Sequence, residues 1–575
     1  MRSFYILILT VLSLAGAGQT MTTKFESSGG TQTPTYQEII SWWKNLDAAS
    51  PFVKMMEMGP TDAGFPLHLV LISADNDFDL KSARKKNKTV IFFNNGIHPG
   101  EPDGIDASML LARDIAISRY KLPSNVIVAL IPVYNIGGCL DRSDKYRVDQ
   151  DGPEEFGFRG NSQNLDLNRD FIKCDSKEAF SFTRIFHFLD PDVFVDNHVS
   201  DGADYQHVMT LIASQHNKLG GDMGHFMNEQ FEPGIYALMK EKGYDLVPYV
   251  NHFGDTPEKG WSEFWDSPRY SSGYASLWNT FSFIPETHML KPYKQRVEST
   301  KALMQSFIEF TARHGRDIRE LREKAARDQQ AQPTFPLAWK LNRGKSKQIV
   351  YKGYAAGYKT SGVSGLPRLY YDRTKPFELT VPFYNDYIDT FSVERPKAYI
   401  IPQGWWKVIE RLQANGVQMG RLKKDTTIEV EWYKIAGYQR GQRQFEGHHL
   451  NTDVRIAKNL SKVRFRKGDY LILMNQLANR FIIETLEPQG EDSYFAWNFF
   501  DPILGQKEGY SDYHFEDIAS EYVNGNPELK KKLDERRSTD SAFAKNAGAQ
   551  LNFVFQNSPW FEPAYLRYPV YRILK

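Results

Sequence analysis

Cysteine is nearly absent: Cys139 and Cys174 are the only two in 575 residues. That excludes a disulfide scaffold and a Cys-rich structural zinc site, so any bound metal must rely on His and carboxylate ligands. A single disulfide and two buried thiols both remain open. An excess of one charge is also missing. Lys and Arg total 71 against 70 Asp and Glu, a net charge of +1, so nothing calls for nucleic acid or an anionic membrane surface as partner. There is no internal repeat and no low-complexity tract. Beyond the first residues, no apolar run approaches the length of a transmembrane span. The start of the chain is the exception in texture. Met1-Arg2-Ser3 carries one positive side chain, Phe4 to Leu14 is almost wholly apolar, and Ala15-Gly16-Ala17-Gly18 supplies small residues. Residues 1–20 are therefore expected to be a secretory signal peptide. The mature protein is expected to be soluble and exported to a periplasmic or extracellular compartment. No Cys follows the apolar stretch, so no lipid anchor is expected there.

What is present is a chain long enough for two to four domains, with 14% aromatic residues. Thr33-Pro34 is expected to open a helix with Ile39, Ile40, Trp43 and Leu46 on its buried side. Leu67–Ile72, Val90–Phe93, Val126–Val133, Val193–Asp196 and Ser282–Ile284 read as short buried strands. Between them come a helix over Asp103–Ser118 and another capped by Asp175 or Ser176, with Phe180, Ile185, Phe186 and Leu189 inward. A long charged helix is expected from Lys291 to about Gln330, with Gly315 interrupting it. Strands alternating with helices predict an α/β domain over 21–330, built on a mixed, largely parallel sheet with helices on both faces. After Pro333 and Pro336 the texture changes. Leu369–Tyr371, Phe377–Val381, Ala398–Ile401 and Thr427–Trp432 look like strands, with one helix at Trp405–Ala414 ending at Asn415-Gly416. Residues 331–575 are expected to form a β-rich accessory region of one or two domains.

The stretch from Thr89 to Ile117 organises the chemistry. The apolar run Val90-Ile91-Phe92-Phe93 is broken by Asn94-Asn95-Gly96-Ile97-His98-Pro99-Gly100-Glu101-Pro102, and helical spacing follows. His98 and Glu101 thus share a tight strand-to-helix turn, where an imidazole and a carboxylate can chelate one divalent cation. Two more polar residues end strands: His198 after Val193–Asp196, and Glu286 after Phe281-Ser282-Phe283-Ile284-Pro285. In an open α/β sheet ligands bind at the carboxyl ends of the strands, so these four residues can converge. His98, Glu101 and His198 suffice for zinc. Glu286 is then the free carboxylate that metal-assisted hydrolysis of a bond by water requires. The loop from Phe158 to Phe171 adds Arg159, Asp166, Asn168 and Arg169. Guanidinium groups bind carboxylates bidentately or stabilise an oxyanion, and Asp166 can fix the tautomer of a metal-bound histidine.

On four ordered pieces the chain resembles the M14, carboxypeptidase A-like zinc carboxypeptidases. They are Gly96-Ile97-His98-Pro99-Gly100-Glu101, Arg159 through Asn168-Arg169, His198 after a strand, and Glu286 in Pro285-Glu286-Thr287-His288. The resemblance spans roughly residues 30 to 320. It implies one zinc ion per chain held by His98, Glu101 and His198, with Glu286 as the general base that then protonates the leaving amine. It implies Arg159 at the scissile carbonyl, Asn168 and Arg169 on the substrate's C-terminal carboxylate, and Asp166 orienting His98. The family's mobile tyrosine has two candidates, Tyr270 and Tyr274, with Tyr270 preferred because Ser and Gly follow it. His207, His216, His225 and His252 are expected to be packing or surface residues rather than ligands, His288 is expected to support the site from behind or to be structural, and Gly447-His448-His449 has no partner motif for a second metal. Trp261, Phe264, Trp265 and Trp278 are candidates for pocket lining, against a core role.

The function expected is that of an exported zinc metallocarboxypeptidase acting on peptides with a free C-terminal carboxylate. Two alternatives are a cell-wall peptide amidase or carboxypeptidase of the same chemistry, and a binding protein that keeps the scaffold without catalysis.

Overall fold

A computed structural model describes residues 21–574; the expected signal peptide, residues 1–20, lies outside the described residues. The central sheet contains β1 (Val53–Pro60), β2 (Pro66–Ser73), β3 (Thr89–Asn94), β4 (Val126–Ile131), β5 (Val193–Asp196), β6 (His198–Ser200), β7 (Met209–Ala213), β8 (Val247–Pro248) and β9 (Phe281–His288). Their spatial order is β1-β2-β4-β3-β5-β9-β7-β8, with β6 paired to β9. The middle strands β4, β3, β5 and β9 run parallel. β1 and β2 add antiparallel strands at one side, and β7 lies antiparallel to β9 at the other. The mixed, largely parallel sheet expected from the sequence is present.

The reason the central strands read as unbroken apolar runs is that both faces of the sheet are covered. Ile91 and Phe93 of β3 pack into one core with Ile39 and Trp43 of α1 (Tyr36–Ala49), Ile105 and Leu111 of α2 (Asp103–Ala116), and Val297 and Phe307 of the helix Tyr293–Ala331. The alternate residues Val90 and Phe92 pack into a second core with Phe182 and Ile185 of the helix Lys177–Leu189. That second core continues past residue 330: Phe335, Tyr399, Ile401, Val408 and Phe481 belong to it.

Several local expectations change. The first helix begins two residues later than Thr33-Pro34 suggested. Thr35 is its cap, in a reciprocal capping box with Glu38, while the Thr33 hydroxyl donates to buried Asp106 at 2.6 Å. Ser176, rather than Asp175, caps Lys177–Leu189. Phe182 occupies the buried face expected for Phe180, which is half-buried. Gly315 does not interrupt the long helix, which runs 39 residues without a break. A Cβ at Gly315 would lie 2.4 Å from the Thr89 Oγ1 on β3, so the glycine permits close helix–sheet contact rather than a bend.

Beyond residue 330, Leu369–Tyr371 and Phe377–Val381 are one strand, Pro367–Tyr384, paired with Lys347–Thr360 across a single register shift. Thr427–Trp432 is the start of a longer strand, Thr426–Arg440. It joins Ala398–Ile401 and Asn451–Phe465 in a six-stranded sheet. The β-rich region also carries helices, among them Asp512–Asn524, Pro527–Thr539 and Ala547–Gln556. They close a small core of their own, in which Phe515, Leu529, Leu551 and Phe555 are buried together.

Candidate metal centre and cleft

The site forms where β3, β5 and β9 end. After Asn94 the chain turns at Gly96, whose φ of +64° suits glycine. The Glu101 N–H donates to the His98 carbonyl at 2.8 Å, which turns both side chains to one side three residues apart. β5 delivers His198. Parallel pairing of β6 with β9 sets Glu286 directly opposite His198, so register alone brings together two residues 88 positions apart.

His98, Glu101 and His198 are all buried, and one donor atom from each lies within 4.8 Å of the others. The Nδ1 atoms of His98 and His198 lie 3.3 and 3.2 Å from the Glu101 oxygens. Each Nε2 instead donates to a carboxylate: His98 to Asp166 at 2.8 Å, His198 to Asp196 at 3.0 Å. These carboxylates hold both rings with Nδ1 free for a cation. The His98 Nδ1 is buried and has no hydrogen-bond partner. A buried, unpartnered imidazole nitrogen beside a carboxylate and a second imidazole fits a zinc ion. Burial opposes the Glu101 charge, but His98 and Arg147 outweigh it and hold the carboxyl well below its usual range. Burial likewise opposes the His198 imidazolium, while Asp196 and Glu101 raise it well above the usual histidine value. Metal binding would therefore displace a proton.

A cleft of about 400 Å³ opens over this cluster. Glu286 lines it, and burial together with the Glu101 charge pushes its carboxyl up to about 8, against the pull of His198. Arg159, Asn168, Arg169 and Tyr270 line it as well. Arg159 donates from Nε to Asp166 at 2.9 Å and lies 3.5 Å from Glu101. Arg169 donates to the Asn168 carbonyl at 2.9 Å and stacks over the Tyr270 ring at 4.6 Å. The Asn168 Oδ1 is buried without a partner. Of the two tyrosine candidates, Tyr270 faces the cleft, while Tyr274 is buried and donates to Asn415 at 2.6 Å. Of the four aromatic candidates only Phe264 lines the cleft. Trp261 packs in a separate core, Trp265 donates to Glu491, and Trp278 stacks on Phe481.

The remaining histidines are engaged elsewhere. His207 bonds Asp245 and Lys352 backbone atoms, His252 bonds Asp255, and His288 donates to the Ala203 carbonyl. Burial pulls His207, His216 and His288 down to about 4. His448 bonds Asp175. Among the described residues no other cluster could hold a metal, and Cys139 and Cys174 are buried free thiols.

Three contributors escaped the sequence. Arg147 donates to Glu101 at 2.9 Å and to the Val199 carbonyl at 3.1 Å, yet it sits in a segment with no motif. Tyr249 lines the cleft from the end of β8. Asp196 had a readable signal: two residues before His198 along an extended chain, it shares that residue's side.

A donor set of two imidazoles and a carboxylate at the carboxyl edge of an α/β sheet defines a metallohydrolase-type site. Residues 39–204 match the family model described as zinc carboxypeptidase. Over that span the chain is similar to the zinc carboxypeptidases, and the His98–Glu101–His198 set is of the kind that could hold such a metal. The matched span contains His98, Glu101, Arg159, Asn168, Arg169 and His198; Glu286 and Tyr270 lie beyond it. Carboxypeptidase 2 of Trichophyton rubrum is 20% identical over 502 residues, covering 84% of this chain and 87% of that protein. Carboxypeptidase 2 of Trichophyton equinum is 19% identical with the same coverage. Similar solved structures include a metallo-carboxypeptidase from Burkholderia cenocepacia, 14% identical with a TM-score of 0.36 over 48% of this chain and 69% of that one. Another is carboxypeptidase A from Helicoverpa armigera, 14% identical with a TM-score of 0.37 over 49% of this chain and 74% of that one.

Proposed function

We propose that the protein is an exported metallocarboxypeptidase that removes residues from the C-termini of peptides. The observation that carries this reading is the convergence, in one cleft, of the His98–Glu101–His198 donor set with the Glu286 carboxyl and the arginines Arg159 and Arg169. Export rests on the sequence pattern of residues 1–20. Residues 21–330 are the catalytic unit in this reading, and 331–575 the accessory region.

When bound, zinc supplies Lewis acidity to the scissile carbonyl and to water. The chain's own groups do the rest. Glu286 takes the proton from the attacking water and returns it to the leaving amine. Arg159, held in place by Asp166, presents guanidinium N–H groups to the oxyanion. Asn168, through its side-chain amide N–H groups, and Arg169 bind the C-terminal carboxylate. Tyr270 backs the Arg169 guanidinium and closes that end of the cleft.

The test combines elemental analysis of the purified mature chain with a peptide pool containing free and amidated C-termini, read by mass spectrometry. One zinc per chain and single residues lost only from free C-termini is the expected result. Zinc without cleavage would redirect the reading toward cell-wall or modified peptides.

A further inference from the structure

The loop that carries Asp166, Asn168 and Arg169 is held from the far end of the chain. Glu446 accepts the Asp166 backbone N–H at 2.7 Å, across 280 residues of sequence. Asp166 is the hub of the cleft wall: its carboxylate bonds His98, Arg159 and the Asn168 N–H.

Glu446 occupies an unusual place. Phe445 and His448 exchange backbone hydrogen bonds at 2.7 and 3.0 Å around a two-residue turn. Both central residues are left-handed, Glu446 at φ +49° and Gly447 at +80°. Such turns favour Asn, Asp or Gly at the first position, and a longer side chain there is strained. The turn is anchored on both flanks. Phe445 stacks on Trp497 at 6.1 Å, the Arg269 guanidinium packs against both rings, and His448 bonds Asp175 at 2.6 Å. A strained glutamate on a braced turn, aimed at one N–H of the cleft wall, points to a use for its carboxylate.

We propose that Glu446 is a positioning residue for the substrate-binding wall, so that the C-terminal region sets the geometry of the cleft through Asp166. This rests on the carboxypeptidase reading of the cleft. The test compares Glu446→Gly, which relieves the backbone strain and removes the acceptor, with Glu446→Gln, which keeps an acceptor oxygen at the same reach. For Glu446→Gly, amide hydrogen exchange over residues 161–169 should accelerate tenfold or more. Its kcat/KM on free-carboxylate peptides should fall about tenfold, with zinc content and melting temperature held. Glu446→Gln should restore both readouts to within threefold of wild type. Unchanged exchange and kinetics in Glu446→Gly would overturn the proposal, as would equal damage in the two variants. A wild-type protein that binds zinc but cleaves no peptide would overturn the carboxypeptidase reading instead, and the exchange data alone would then decide the Glu446 contact.

Discussion

Replacing Arg169 by Ala is the sharpest test of exopeptidase action. The guanidinium is largely enclosed, with 21% of the side chain exposed, and lies 3.8 Å from Asp166. One N–H is committed to the Asn168 carbonyl, and the Tyr270 ring fixes the plane of the fork. Several of its five N–H donors thus stay available for a carboxylate. A hydrogen bond to a charged group contributes about 1.5–3 kcal/mol, against roughly 0.5–1.5 for a neutral one. Taking about 2–3 kcal/mol for the ionised terminus gives a loss of about 30- to 150-fold in kcat/KM. A matched peptide amide, lacking the charge, should lose only about 2- to 13-fold. The assay is kcat/KM on paired acid and amide peptides, with zinc content measured alongside. Arg169→Lys keeps the charge but not the fork or the stacking, and should fall between wild type and Ala. Equal losses on acid and amide would refute the clamp.

Three further outcomes are expected. Glu286→Gln should lower kcat by about 10²- to 10⁴-fold while one zinc stays bound, because a general base contributes that much; normal turnover would remove Glu286 from the role. His98→Ala or His198→Ala should each abolish stoichiometric zinc in elemental analysis, and retained metal would show the donor set to be different. Asp106→Asn should flatten the dependence of stability on pH. Burial pushes Asp106 up to about 7, with the Asp103 charge adding and the Thr33 and Tyr293 hydroxyls opposing. Between about pH 4 and 7 the folded state therefore holds a proton that the unfolded state has released. Stability falls as pH rises through that window, by about 4 kcal/mol in all. Urea unfolding from pH 4 to 8 should show the variant gaining on wild type with rising pH, and a constant difference would contradict the burial argument.

Much of the α/β region around the cleft was legible in the sequence because its signals are local. Apolar runs bounded by turn residues gave β3, β5 and β9 to within a few residues, since both faces of those strands are buried and each run must be continuous. The His98–Glu101 spacing is a property of one turn. The carboxyl-edge rule then placed His198 and Glu286 with it, whatever the separation in sequence. Asp196 obeyed the same local logic and was readable in principle.

The tertiary structure alone decided the rest, because those choices depend on which groups meet across the fold. Tyr270 and Tyr274 share one short segment, and only packing sends the first to the cleft and the second onto Asn415. Gly315 reads as a helix breaker until Thr89 is found against it. Arg147 carries no motif, and its role comes from reaching Glu101. Glu446 sits 280 residues from the N–H it accepts. A sequence specifies periodicity and turn chemistry within a few residues. Contacts of that range are fixed only when the two cores have closed and the C-terminal region is packed on the second of them.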